Sequence, residues 1–348
     1  MHPEFINRTP FAASLLFLGG ANEGPLFGVA LVQATYRIGA DGTLQPLELQ
    51  PPIDAAGAWL GDPASTSCVV EPQIATAKVT TDVVLQGHAV PPGGRPARHS
   101  VVSFRLGPLR KQAHVLGDRA LRRGLSGLTI GEPEPFERMP LVYERAFGGW
   151  DRRDSDPRRH ACEQRNPLGV GFRLRAAGAC EEDRLPNIED PEHPYRGPLD
   201  TPPPCGFGFV GAEWLPRAAF AGTYDEAWAR DRKPLLPKDF DRRFFNAASP
   251  GLVAPAPLAG DEPVLVSGMQ AEGDCAFRLP AVPPPWCAWS PRRGPRRTTR
   301  GMLDTVVVNM DRRWLTLQWR SRWALPDGPH ALQAAELRLA VSDPPRGG

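Results

Sequence analysis

Proline occupies 41 of the 348 positions and glycine another 35. Proline fixes φ and offers no backbone donor, so a chain punctuated this densely cannot sustain long helices. Short strands joined by structured loops are what it can build, and hydrophobic alternation should mark the strands. Val32, Ala34, Tyr36 and Ile38 alternate with Gln33, Thr35 and Arg37, and Gly39 to Gly42 supply a hairpin turn. Val79, Val83 and Leu85 alternate with Lys78, Asp82 and Gln86, and Val102, Phe104 and Leu106 with Ser103 and Arg105. These segments read as half-buried antiparallel strands, apolar on one side.

From about Pro133 to Ala248 the periodicity fades, and Pro, Gly, Asn and Asp interrupt every few residues. One helix is signalled there. Thr223-Tyr-Asp-Glu226 fits a capping box with Thr223 as the cap, Asp225 and Glu226 suit the positive end of the helix dipole, and Lys233-Pro234 stops it. That predicts a helix over 224–232. After Glu262 the alternation returns in Cys275, Phe277 and Leu279. A hairpin then runs through Val306 and Val308, Asn309 to Arg312, and Leu315, Leu317 and Trp319. The tail Ala335, Leu337, Leu339, Val341 alternates too, with a short helix as the other reading. Residues 283–300 read as a Pro- and Arg-rich loop. The predicted fold is mainly β, with antiparallel β-sandwich-like regions at both ends and a loop-rich, one-helix middle packed across them. Its expected divisions are 1–132, 133–261 and 262–348, the last joining the first in one alternative.

A net charge of +2 is too near neutral to advertise nucleic acid or an anionic membrane. Lysine is rare, standing only at 78, 111, 233 and 238. Cys68, Cys162, Cys180, Cys205, Cys275 and Cys287 lack a pairing rhythm and read as free, mostly buried thiols. Phe11 to Gly20 is apolar, but Glu4 stands where a signal peptide needs basic residues and no small-x-small cleavage site follows, so a buried strand is the reading. No run approaches the ~18 residues of a membrane helix. The expectation is a soluble, cytoplasmic protein.

Two carboxylate pairs carry an acid/base reading, Glu189/Asp190 and Asp239/Asp241, at a spacing a carbohydrate hydrolase could use. Against it, Arg242, Arg243 and nearby backbone amides suit structural ion pairs and turns. His160, Cys162 and Cys180 lack the closely paired ligands of a zinc site, and no Walker, dinucleotide or Gly-x-Ser-x-Gly pattern occurs. No metal or cofactor is expected. Arg292, Arg293, Arg296, Arg297 and Arg300 read as a solvated loop or a patch for an acidic protein, with nucleic acid as the third reading. The densest signal is Cys205 to Ala248, where Trp214, Tyr224, Trp228, Phe240, Phe244 and Phe245 interleave with charges of both signs. Interfaces concentrate Trp, Tyr and Arg, which makes Trp214, Arg217, Tyr224 and Trp228 candidates for partner binding, or for a carbohydrate-binding surface through the two Trp.

Seven ordered motifs carry a resemblance. They are NRTPF at 7–11, TDVVLQGHA at 81–89, MPLVYERAFGGWD at 139–151, RNPLGVGF at 165–172, LPNIEDP at 185–191, CGFGFVGAEWLPRAAFAGTYDEAW at 205–228 and LLPKDFDRRFFNAA at 235–248. Together they resemble a bacterial family long catalogued as a domain of unknown function and encoded beside type VI secretion genes. The resemblance covers roughly residues 7–323, with departures at Cys205 and in the Arg-rich stretch. It implies a non-enzymatic adaptor or chaperone that holds a secreted effector and helps load it onto the spike or spike-tip protein. Tyr143 and Arg145 join the partner-binding candidates, while Glu144, Asn166, Asn187, Glu189, Asp190, Asp225, Asp239, Asp241, Arg243 and Asn246 are expected to build the scaffold.

Overall fold

The computed structural model describes residues 3–19, 26–124, 127–174 and 180–339. The fold is mainly β, and three sheets do most of the work. The largest orders Ala12–Gly19, Leu26–Ile38, Trp314–Leu325, Met302–Asn309 and Asp82–Gln86, with Leu44–Pro46 returning along the end of Leu26–Ile38. Its centre joins the two ends of the chain: Trp314–Leu325 lies antiparallel to Leu26–Ile38 from the Trp314–Arg37 pair to the Leu325–Leu26 pair. The second sheet orders Ile188–Glu189, Leu109–Leu116, His99–Leu106, Pro263–Ser267 and Cys275–Arg278. The third orders Glu4–Asn7, Leu332–Arg338, Trp286–Pro291 and Arg297–Arg300. One apolar core collects Tyr36, Trp319 and Leu85 from the first sheet, Phe104 and Val266 from the second and Leu337 from the third.

Alternation reads the second sheet well. His99–Leu106 buries Val102, Phe104 and Leu106 and turns the residues between them outward. It reads Asp82–Gln86 badly. This strand runs parallel to Met302–Asn309, with Val83 opposite Val306, and Val83, Val84 and Leu85 are all fully buried. A parallel strand of this kind is covered on both faces, so alternation disappears from it. Its outer edge is closed by the middle of the chain, where Leu85 N donates to Phe207 O (3.1 Å) and Val83 N to Leu252 O (2.9 Å). Val79 lies outside the strand and is 50% exposed.

Two further expectations are corrected. The helix spans Glu226–Asp231, and its cap is Asp225, whose carboxylate accepts from Trp228 N at 2.8 Å. Thr223 is held elsewhere, donating through N and Oγ1 to Asp239. The Arg-rich stretch is a hairpin instead of a loop: Trp286–Pro291 pairs with Arg297–Arg300, Arg296 reaches Glu336 and Arg297 covers the Trp289 ring. The C-terminal alternation is the strand Leu332–Arg338, with Leu339 just beyond it, while Val341 lies outside the described residues. Ala12–Gly19 is a strand as expected, half-buried at the edge of its sheet, and Gly20 lies outside the described residues. No disulfide joins the described cysteines; Cys205, Cys275 and Cys287 are buried, Cys68 and Cys162 half-buried and Cys180 exposed. No helix among the described residues is long and apolar enough to cross a membrane.

The middle region is built from turns and two-residue bridges, so its order must come from side chains binding backbone. Asn166, fully buried, donates through Nδ2 to Tyr143 O (2.8 Å) and Phe147 O (2.9 Å), which ties the RNPLG segment under the VYERAF segment. Gly148 is required at this crossing: its φ is +147° and a Cβ there would lie 2.1 Å from Asn166 O. Asn187 performs a similar task, donating to Leu116 O and to Asp118, whose carboxylate also receives Arg145.

Candidate functional site

Where the middle region meets the first sheet, six charged side chains are buried together. Lys78 Nζ donates to Glu71 Oε2 at 2.8 Å, Asp82 Oδ2 at 2.7 Å and Thr305 Oγ1 at 3.0 Å. Arg217 grips the same Glu71 through Nη2 at 2.7 Å, and donates through Nε to Phe244 O and through Nη1 to Val210 O. Asp82 is completed by Asn246 Nδ2 (3.0 Å) and Ala247 N (2.9 Å). Next to Thr305, Asp304 pairs with Arg320 at 2.5 Å, and Arg320 also donates to Ala75 O and Gln73 Oε1. Three cations, Lys78, Arg217 and Arg320, thus meet three carboxylates, Glu71, Asp82 and Asp304, and all six are buried.

Charges taken out of water persist only when paired and hydrogen-bonded, and this set is both. Burial alone would pull the Lys78 ammonium down, but Asp82, Glu71 and Asp304 outweigh it and hold its pKa above the usual lysine value. Asp82 and Asp304 come from the first sheet, Glu71 and Lys78 from the segment leading into it, and Arg217 and Asn246 from the aromatic stretch. The network is the clamp that fastens the Cys205–Ala248 stretch onto the sheet.

On each side of Arg217 lies a cleft. One, of about 370 Å³, is walled by Trp59, Ile74, Val210 and Trp214. The other, of about 340 Å³, is lined by Val79, Val210, Phe220, Val253 and Ala254, with the Arg243 guanidinium stacked on the Phe220 ring at 4.3 Å. Beyond them the Glu226–Asp231 helix buries none of its residues. Tyr224, 53% exposed, meets the half-buried Trp228 edge to face at 4.7 Å, and Trp228 Nε1 donates to Leu235 O. These two rings make an aromatic surface held by one cap and one side-chain bond.

The partner candidates therefore separate. Tyr143 and Trp214 are buried and pack edge to face at 5.2 Å, the ring of Tyr143 lying against Gly206 where a Cβ would come within 2.5 Å. Arg217 is buried in the clamp. Arg145 is half-buried between Asp118 and Asn187. Only Tyr224 and Trp228 face solvent in a form a partner could read.

Among the scaffold candidates, Glu144 accepts from Ser67 N and Oγ, and Glu189 is paired with Arg119. Burial raises the Glu189 pKa against the pull of Arg119. Asp190 accepts from Glu192 N in a turn. Asp239 holds Thr223, and Asp241 caps the turn at Arg242–Phe245 while pairing with Arg243; these bonds lower both carboxyl pKa values. Asp239 and Asp241 are thus committed to different neighbours, as are Glu189 and Asp190.

The sequence reading missed Glu71, Lys78, Asp82, Asp304 and Arg320. Their signal was present: a lone Asp inside the apolar run MLDTVVV, an Arg inside WRSRW, and a Lys in a chain that has only four. A compact ammonium with three donors fits a point between two carboxylates and a hydroxyl, where a planar guanidinium does not.

No curated protein and no solved structure matches the chain. Over residues 23–320 it matches the family described as "Uncharacterized protein conserved in bacteria (DUF2169)", and it belongs to that family.

Proposed function

We propose that this chain is a non-enzymatic adaptor or chaperone, acting in the bacterial cytoplasm, that binds a type VI secretion effector, stabilises it and helps load it onto the spike or spike-tip protein. The reading starts from the resemblance carried by the seven motifs. The observation that supports it best is how the motif residues are spent. Many of their polar side chains brace the middle region, each carboxylate candidate for hydrolysis is engaged by its own donors, and among the partner-binding candidates the exposed Tyr224 and the half-buried Trp228 are the rings that reach solvent. Exposed, pre-ordered aromatics beside apolar clefts suit recognition of another protein, because rigid rings bury large areas at low entropic cost.

The test is genetic and biochemical. Deleting the gene should lower the soluble level and the secretion of the toxin encoded beside it, and restoring the chain should recover both. A toxin equally soluble and equally secreted without this chain defeats the proposal.

A further inference from the structure

The second sheet turns its outer face to solvent, and two like charges oppose each other there. Arg105 on His99–Leu106 stands directly across from Arg110 on Leu109–Leu116. Both are exposed, and neither guanidinium has a hydrogen bond or ion pair among the described residues. Like charges in register across an antiparallel pair destabilise a sheet. A third cation is fixed beside them: Lys111 Nζ donates to Ser249 Oγ at 2.6 Å and Pro250 O at 2.7 Å, and lies over the Phe207 ring. These residues line a groove of about 470 Å³ with Ser103 and Gln112 on its floor, Pro250 and Gly251 on one wall, and Asp190 and Glu192 on the rim. The rim carboxylates are not within ion-pairing distance of Arg105 or Arg110, and Asp190 is engaged with Glu192 N. Pro250 also lines the apolar cleft beside Phe220, so the groove and that cleft share this residue.

We propose that this groove docks an acidic segment of a protein partner, with carboxylate side chains set between Arg105 and Arg110. The inference rests on the reading of the chain as a protein-binding adaptor and adds the chemistry of the partner. Charge complementarity selects the occupant: an anionic group between the two guanidiniums removes their repulsion, and each guanidinium can take a carboxylate through two parallel N–H donors. The shared wall at Pro250 places an apolar side chain of the same segment within reach of the neighbouring cleft.

Fluorescence anisotropy of a fluorescein-labelled octaglutamate peptide against the full chain tests this, with octalysine as the control. Octaglutamate should bind, octalysine should not, and added salt should weaken the binding. Arg105→Glu should cut affinity about tenfold or more, while the melting temperature holds or rises, because a cross-strand ion pair replaces the opposed cations. If Arg105→Glu lowers the melting temperature, Arg110→Gln must show the same loss of affinity. Octaglutamate that fails to bind, or binds both variants as well as the wild type, overturns the inference. The assay contains no effector, so the two readings fail separately: effector capture without Arg105-dependent peptide binding removes only the groove, and the reverse removes only the adaptor.

Discussion

Replacing Lys78 by methionine tests whether the buried clamp holds the aromatic stretch in place. Methionine keeps the stem and most of the volume, so the cavity contribution stays small. What disappears is the ammonium and its bonds to Glu71, Asp82 and Thr305. Glu71 keeps Arg217, whereas Asp82 keeps only neutral donors, Asn246 and Ala247 N, around a fully buried carboxylate. Removing one partner from a buried pair costs about 3–5 kcal/mol. A double-mutant cycle separates this mechanism from loss of packing. Lys78 has a raised pKa in the fold, so its own contribution is complete below the unfolded value of about 10.4 and flat from about pH 5 to 8. Urea denaturation followed by tryptophan fluorescence should show that deficit throughout this pH range. Combining Lys78→Met with Asp82→Asn should cost less than the sum of the two by about 1–3 kcal/mol. A deficit under about 1 kcal/mol, or one that is additive with that of Asp82→Asn, refutes the clamp.

The two tryptophans of the aromatic stretch should behave oppositely. Trp214→Ala opens a cavity against Tyr143 and should cost about 3–5 kcal/mol, whereas Trp228→Ala should leave the melting temperature nearly unchanged and weaken effector binding by about 2 kcal/mol; a large thermal loss in the second would make that ring core. Glu336 gathers Arg338, Arg8 and Arg296, whose bonds lower its pKa to about 2. Its contribution is therefore complete above the unfolded value of about 4.3 and is lost as pH falls toward 2, so Glu336→Gln should lower the melting temperature at pH 7 and have little effect near pH 2; equal effects at both pH values would contradict this.

Legibility followed exposure. Strands with one wet face, such as His99–Leu106 and Cys275–Arg278, announce themselves by alternation, and so does the Met302–Asn309 and Trp314–Leu325 hairpin. Asp82–Gln86 does not, because a parallel partner and the Phe207 and Leu252 carbonyls bury it on every side. The Trp286–Arg300 hairpin was hidden by the prolines around it and by arginines that shield an outer strand. Tyr224 falls outside the helix expected over 224–232, and the cap shifted from Thr223 to Asp225 because Asp239 takes the threonine. The clamp is the deeper loss. Lys78 and Asp82 stand only four residues apart, but Arg217 reaches Glu71 and Asn246 reaches Asp82 by long-range crossings that local pattern does not carry.

The most direct measurement of the central claim is a co-expression pull-down. This chain, tagged, is expressed with the proposed effector, as wild type and as Trp228→Ala. The account predicts a complex that elutes as one species with the wild type and is largely lost with a Trp228→Ala variant of unchanged melting temperature. An effector that stays soluble and elutes apart from the wild-type chain contradicts it.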